Sequence, residues 1–231
     1  SDMEDGLFHA LHAWSMMSLI MEERLEETPC SLDAVRDALA RALRLARGDP
    51  MVAGIVANVR AILLEDFTGA LSLSAAALRG QPDNLFAMQA MSLCRLRMGA
   101  QDVAYRLSQR IRTVAGPTKY KAMCELHHAL LCLRTDRSDA ALETSLAAAE
   151  AIPAYRAPRR QLIALYAAGG RFSAVAAEAA RLTEIEPGFS LERLLDDERY
   201  PAHTPRETGT LKQAKASLSQ GRAAPRRATG R

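Results

Sequence analysis

The sequence predicts an all-α fold, about five stacked helix pairs followed by one C-terminal helix, and three observations predict it. The 231 residues are 48% hydrophobic but only 5% aromatic. With alanine and leucine dominating, that composition suits closely packed helices better than a β-sandwich or barrel. A twelve-residue step recurs from Ala38 to Pro50, Ala70 to Pro82, Ala104 to Gly116 (with Pro117 next), Ala141 to Pro153 and Val175 to Pro187. The stops at 50, 82, 116, 153 and 187 lie 32, 34, 37 and 34 residues apart, which leaves room for a second helix between each pair of stops.

Within each copy a second column, four residues after the first, holds Ala42, Ser74, Ser108, Ser145 and Ala179, all small. A third column, three residues further on, holds Leu45, Ala77, Ile111, Ala148 and Leu182, all apolar. Offsets of 0, 4 and 7 fall on one helical stripe, so each copy should turn a narrow ridge to a close neighbour. The proline or glycine then ends the helix, because proline lacks an amide donor and biases its predecessor away from helical angles.

Taken in chain order, a long opening helix is expected over about Asp5 to Glu27, followed by the irregular insertion "EETPCS" and the first step-bearing helix. Tight turns are expected at Glu65-Asp66, Gly99-Ala100, Asp136-Arg137 and Gly170-Arg171, and Gly99 and Gly170 suit left-handed helix caps. Units are expected at about 1–50, 51–82, 83–117, 118–153 and 154–187, then a capping segment, the whole forming a repeat domain over 1–205. Beyond it, a last helix over about Pro205 to Ser219, with Leu211 and Leu218 on one face, precedes a basic tail, "QGRAAPRRATGR", whose lack of apolar periodicity reads as disorder.

A period near 34 with helix, tight turn, helix and stop in each unit resembles the tetratricopeptide (TPR) repeat over roughly residues 31 to 187. The resemblance implies a right-handed superhelix of helix pairs. Phe67 and Phe172 stand where that family places an aromatic residue before the first alanine, and Tyr166 where it favours tyrosine. The small middle column departs from the family, which usually holds a large residue there. A narrower resemblance joins "TPCSLDAVRDALARALRLARGDP" and "EIEPGFSLERLLDDERYPAHTPRETGTLKQA" to repeat regions of bacterial regulators headed by a winged-helix DNA-binding domain or a class III adenylate cyclase. Neither head has a counterpart in these 231 residues, and the opening Ser-Asp-Met looks like a cloning remnant, so a piece of a longer protein is expected.

Charge is unevenly placed. Residues 206 to 231 hold seven Lys/Arg against one Glu, a local +6 that leaves about −3 for the rest of a chain whose formal charge is +3. A nucleic-acid footprint over the whole chain is not indicated; Arg222, Arg226, Arg227 and Arg231 would give at most weak phosphate affinity. No apolar run is long enough to span a membrane and no secretory leader is evident, so a soluble, cytoplasmic protein is expected. Cys30, Cys94, Cys124 and Cys132 read as small buried thiols in a reducing compartment.

The sharpest candidate for chemistry is "CELHHALLC", with Cys124, His127, His128 and Cys132 on adjoining turns. Two thiolates eight residues apart are separated by about 12 Å along a helix and cannot share one zinc ion, so a core role is expected and no metal site. No nucleophile with an orienting acid and no glycine-rich phosphate loop occurs, so neither enzymatic activity nor a cofactor is expected. Acidic runs such as "MEERLEE" and "LLDDER" read as solvated helix faces, and "YRAPRR" as a small basic cluster at a helix start, placed to attract an anion.

If the family's geometry holds, the inner face is lined by Val52, Ile55, Val59 and Ile62, then Phe86, Gln89, Leu93 and Leu96, then Met123, Leu126, Leu130 and Leu133, with Arg97, Arg134 and Arg160 near the rim. So apolar a face should be covered by a partner helix or peptide, by the chain's own last helix, or by a second copy in a homodimer. The expected function is a non-enzymatic protein-protein interaction module of a bacterial regulatory protein, in transcription or signalling. A small-ligand sensor using the three arginines, and a DNA-binding accessory acting through the tail, are the alternatives.

Overall fold

The computed structural model describes residues 2–22, 30–118 and 120–223, and all its regular elements are helices. The basic tail from 224 onward, including Arg226, Arg227 and Arg231, lies outside the described residues, as do the side chain of Arg222 and most of the insertion after the first helix. The helices are α1 (Asp2–Met21), α2 (Leu32–Leu45), α3 (Pro50–Ile62), α4 (Phe67–Gly80), α5 (Leu85–Arg97), α6 (Gln101–Ala115), α7 (Lys121–Arg134), α8 (Ser138–Ala151), α9 (Arg156–Ala168), α10 (Phe172–Ile185), α11 (Leu191–Asp196), α12 (His203–Glu207) and α13 (Thr210–Ala223). They divide into two compact units, Ser1–Leu131 and Cys132–Arg231.

In the first unit α1 packs on α2 and α3, α3 on α4 and α5, and α5 on α4 and α6. The small columns make those approaches possible: Ala42, Ser74 and Ser108 are fully buried, as are Ala70, Ala104 and Ile111. Each seam serine hydroxyl donates to a carbonyl of its own helix, Ser74 to Leu71 and Ser108 to Tyr105, so a polar group is buried at no cost to a neighbour. In the second unit Ser145 does the same to Ala141, and Ala141 and Ala148 are fully buried on α8 where it meets α9.

The ridge departs from expectation at its two ends. Leu45 is only half-buried, and α2 closes instead on the buried Ala46. Ala179 is half-buried on α10, while the neighbouring Glu178 is buried in an ion pair with Arg159.

The prolines mark the stops without themselves closing the helices. α4, α8 and α10 end at Gly80, Ala151 and Ile185, each two residues before its proline, and α6 ends at Ala115, before Gly116 and Pro117. Pro50 is the first residue of α3, behind an Asp49 cap whose carboxylate accepts the Val52 amide at 2.8 Å. There it packs against Gly80, where an added Cβ would come within 2.6 Å of the proline ring.

The turns inside the units share one backbone solution. Glu65, Gly99, Asp136 and Gly170 have φ of +52°, +77°, +56° and +69°. After Gly99, Asp136 and Gly170 the next amide reaches back five residues, Ala100 to Arg95, Arg137 to Cys132 and Arg171 to Tyr166, each at 2.9 Å. These are Schellman-type closures that satisfy otherwise orphaned carbonyls. Where the residue is Glu65 or Asp136, its Cβ makes the left-handed conformation costly.

The expected last helix is two helices. Gly209, at φ +76°, separates α12 from α13, so Pro205 lies in the short α12. Leu211 and Ala214 of α13 are buried with Ile163, Ala164 and Ala167 of α9, and Leu218 packs at their edge.

Ser108→Leu should cost about 3 kcal/mol in chemical denaturation, because it overfills the α5–α6 seam and strips a partner from His128. Glu65→Gly and Asp136→Gly should each raise stability by about 1 kcal/mol by relieving the left-handed cap. An unchanged denaturation midpoint in all three variants would contradict this account of seams and caps.

Candidate functional site

The candidate lining starts on α3. Val52, Ile55 and Val59 are at most 1% exposed and belong to one core cluster with Ala10, Ala13, Met16 and Met17 of α1. They therefore face the chain's own first helix, a cover that the sequence did not indicate. Burying each such side chain is worth about 2 kcal/mol, which makes them core residues. Ile62, at the end of α3, is half-buried.

On α5 the same α1 contact reaches Phe86, which is 4% exposed. Trp14 meets its ring edge-on, with centroids 5.8 Å apart, and Tyr120 does so at 5.6 Å. Met123 packs against this cluster and is half-buried. Gln89 is buried and accepts a hydrogen bond from Asn58 of α3 at 3.1 Å. Leu93 and Leu96 remain partly exposed, as does Leu130 on α7, whereas Leu126 and Leu133 are buried.

Trp14 and Tyr120 are the lining residues that sequence reasoning missed. Trp14 carried a signal, since Ala10, Ala13, Trp14 and Met17 form a helical stripe. Tyr120 sits in a turn before α7, where no periodicity points to it.

The rim arginines are all engaged. Arg97 is exposed, lies 5.3 Å from the centre of the Phe67 ring and is 3.7 Å from the Glu65 carboxylate. Arg134 pairs with Glu207 at 2.7 Å. Arg160 is not at a rim: it is 2% exposed, donates to Glu186 at 2.7 Å and reaches the Tyr200 hydroxyl at 3.1 Å. The rest of "YRAPRR" is likewise turned inward, Arg156 to the Ile185 carbonyl and Arg159 to the Pro153 carbonyl and Glu178. The basic cluster expected to await an anion holds the second unit together instead.

Tyr200 is the centre of that arrangement. It is fully buried, donates its hydroxyl hydrogen to Glu186, and has the guanidinium groups of Arg160 and Arg193 each 5.1 Å from its ring centre. Burial pushes the phenol well above its ordinary value, and the Glu186 carboxylate adds to that, so the hydroxyl stays a donor.

The residues of "CELHHALLC" are pulled apart by their partners. His127 Nε2 is 2.6 Å from the Ser92 hydroxyl of α5, and His128 Nδ1 is 2.7 Å from the Ser108 hydroxyl of α6. Since Ser92 donates to the Gln89 carbonyl and Ser108 to the Tyr105 carbonyl, each hydroxyl is left to accept from the imidazole. Adjacent histidines thus tie α7 to two different helices. Cys124 and Cys132 are buried, and desolvation pushes the Cys124 thiol up to about 12, as suits a core thiol. Among the described residues no group of histidines, cysteines and carboxylates is arranged to hold a metal ion, and no helix is long and apolar enough to cross a membrane.

The Tyr200 proton is held more tightly folded than unfolded, so its contribution is complete below the unfolded value of 10.0 and lost as pH rises beyond it. Urea midpoints should therefore fall above pH 10 in the unsubstituted protein. Tyr200→Phe should be about 2 kcal/mol less stable at neutral pH and show a shallower alkaline decline. Parallel alkaline slopes would remove Tyr200 from this role.

No protein-family model matches the sequence, and no curated protein matches it. Among solved structures, the chain is similar to pilF of Pseudomonas aeruginosa, with a TM-score of 0.58 at 12% identity, covering 96% of this chain and 93% of that one. YrrB, described as a TPR protein with an unusual peptide-binding site, aligns with a TM-score of 0.52 at 15% identity, covering 82% of this chain and 94% of that one. The ArsTM double mutant of MamA from RS-1 aligns with a TM-score of 0.51 at 15% identity, covering 76% and 95%. At such identities the likeness is one of fold, and the fold is an all-α helical-repeat superhelix of the TPR kind.

Proposed function

We propose that this chain is a non-enzymatic protein-protein interaction module, and that it takes a helix or extended peptide along the lining positions that packing leaves open. The observation that carries this reading is the contrast within the first unit: Val52, Ile55 and Val59 are sealed against α1, while Ile62, Leu93, Leu96 and Leu130 keep part of their apolar surface in water, with Arg97 exposed beside them. Repeated helix pairs present side chains from successive units at regular spacing, which suits an extended or helical ligand better than a compact one. The peptide-binding site named for YrrB supports the same class of function.

The regulatory setting, in bacterial transcription or signalling, rests on the resemblance of residues 28–50 and 184–214 to repeat regions of such regulators. For the alternative, a small-ligand sensor using the same three arginines, Arg97 and Arg134 already face Glu65 and Glu207, and Arg160 is buried against Glu186.

Leu93→Asp and Leu130→Asp are the informative substitutions. Each should weaken a partner recovered by crosslinking at least tenfold while leaving the helical circular-dichroism spectrum unchanged. Undiminished capture in both variants would refute the groove. Ile55→Asp, at a fully buried position, should instead unfold the chain.

A further inference from the structure

The last helix sits where a ligand would. Leu93 and Leu96, in the open row of α5, stand eleven and eight residues before the step residue Ala104, and Ala164 and Ala167 of α9 stand eleven and eight residues before Val175. By the repeat these are the same two places. Yet Ala164 and Ala167 are fully buried, in one cluster with Ile163 and with Leu211 and Ala214 of α13. What covers them is the chain's own α13.

α13 is not the opening helix of another pair. Such a helix packs on both members of the pair before it, as α5 does on α3 and α4, whereas α13 packs on α9 and on the short α11 and α12. Alanine on both helices, Ala164 and Ala167 with Ala214, allows the two backbones a close approach. The place is therefore shaped for a helix, and the stripe that fills it is Leu211, Ala214 and Leu218, at helical offsets of 0, 3 and 7.

The hold is light. Over residues 210 to 220, Thr210, Leu211 and Ala214 are buried, Ser217 and Leu218 are half-buried, and the rest face water. Among the described residues its polar ties to α9 and α11 are the Ser217 hydroxyl, which donates to the Ala168 carbonyl at 3.2 Å, and an ion pair from Lys215 to Asp196. That pair is largely exposed, so it adds little. The bonds that join Arg160 to Glu186 and Tyr200 inside the same unit involve no residue of α13. Gly209, at φ +76°, precedes the helix and has no Cβ to restrict rotation there.

We infer that α13 is a displaceable strap: it occupies the inner places of α9 as an intramolecular ligand and yields them to a partner helix that carries the same leucine, alanine, leucine stripe, with a lysine placed as Lys215 is to meet Asp196. The site lies within the second unit and does not depend on the open row of α5 and α7 being a binding site.

The test uses the full chain and a fluorescein-labelled peptide of residues 210–220, "TLKQAKASLSQ". A tethered segment on a short linker acts at about millimolar effective concentration, so the unsubstituted chain should bind the free peptide weakly. Leu211→Asp in the chain removes that competitor and should tighten peptide binding at least tenfold, while a peptide carrying the same Leu211→Asp should bind neither chain. In hydrogen exchange of the unsubstituted chain, α13 amides should exchange at least tenfold faster than those of α9, and α9 should stay protected when Leu211→Asp is introduced. Leu93→Asp should change none of these results, which separates the strap from the open row. Equal peptide affinity for the two chains would overturn the inference, and so would exchange of α13 in step with α9 or loss of α9 protection in Leu211→Asp, because α13 would then be an ordinary part of the core. Sedimentation of the unsubstituted chain as a dimer that Leu211→Asp dissolves would also overturn it, since α13 would then be exchanged between two copies.

Discussion

The close approach of paired helices is the constraint from which the rest of this structure follows. Ala42, Ser74, Ser108 and Ser145 are all fully buried at equivalent places, and a larger side chain there would force the backbones apart. Serine serves as well as alanine because its hydroxyl turns back to its own helix, as Ser74, Ser108 and Ser145 do. Thin seams leave the larger apolar side chains of α3 and α5 to fill the space on the other side of the layer, which is why Ile55 and Phe86 end up in a core.

Buried polar groups give the packing its specificity. Asn84 caps α5 by accepting the Ala87 amide at 3.0 Å, and its side-chain nitrogen donates to the carbonyl of Pro50, the first residue of α3, at 2.8 Å. It fits because Gly54 faces it; a Cβ there would lie 2.4 Å from the Asn84 oxygen. The histidine pair on α7 and the Arg160–Glu186–Tyr200 group work in the same way, each joining residues far apart in sequence. A buried charge or imidazole is tolerated only where such partners are in place, so these contacts select one arrangement of helices among the many that apolar packing alone would accept.

The same economy explains where apolar surface is left over. α1 seals the lining of α3 and part of α5, and what remains open is the row towards the ends of the first helices of each pair, at Ile62, Leu93 and Leu96. On its other side α1 offers Phe8 and Leu11 to water.

The sequence by itself determined the fold class, the helix pairs and the seams, because a period near 34 and offsets of 0, 4 and 7 are local properties of the chain and helices are local structures. All four turns were legible by their place in the repeat, but the left-handed cap was legible only at Gly99 and Gly170, where glycine announces it. That Glu65 and Asp136 adopt the same conformation follows from the position each unit reserves for it, not from residue preference. The lining residues could be named by offset, yet whether each was groove or core depended on how α1 lay against α3, and no periodicity encodes that distance. Arg160 read as an open cation because its partners, Glu186 and Tyr200, stand 26 and 40 residues away. Which groups are exposed, and which charges are already spent, was decided only when the helices met, since burial is a property of the assembled layer and not of any segment within it.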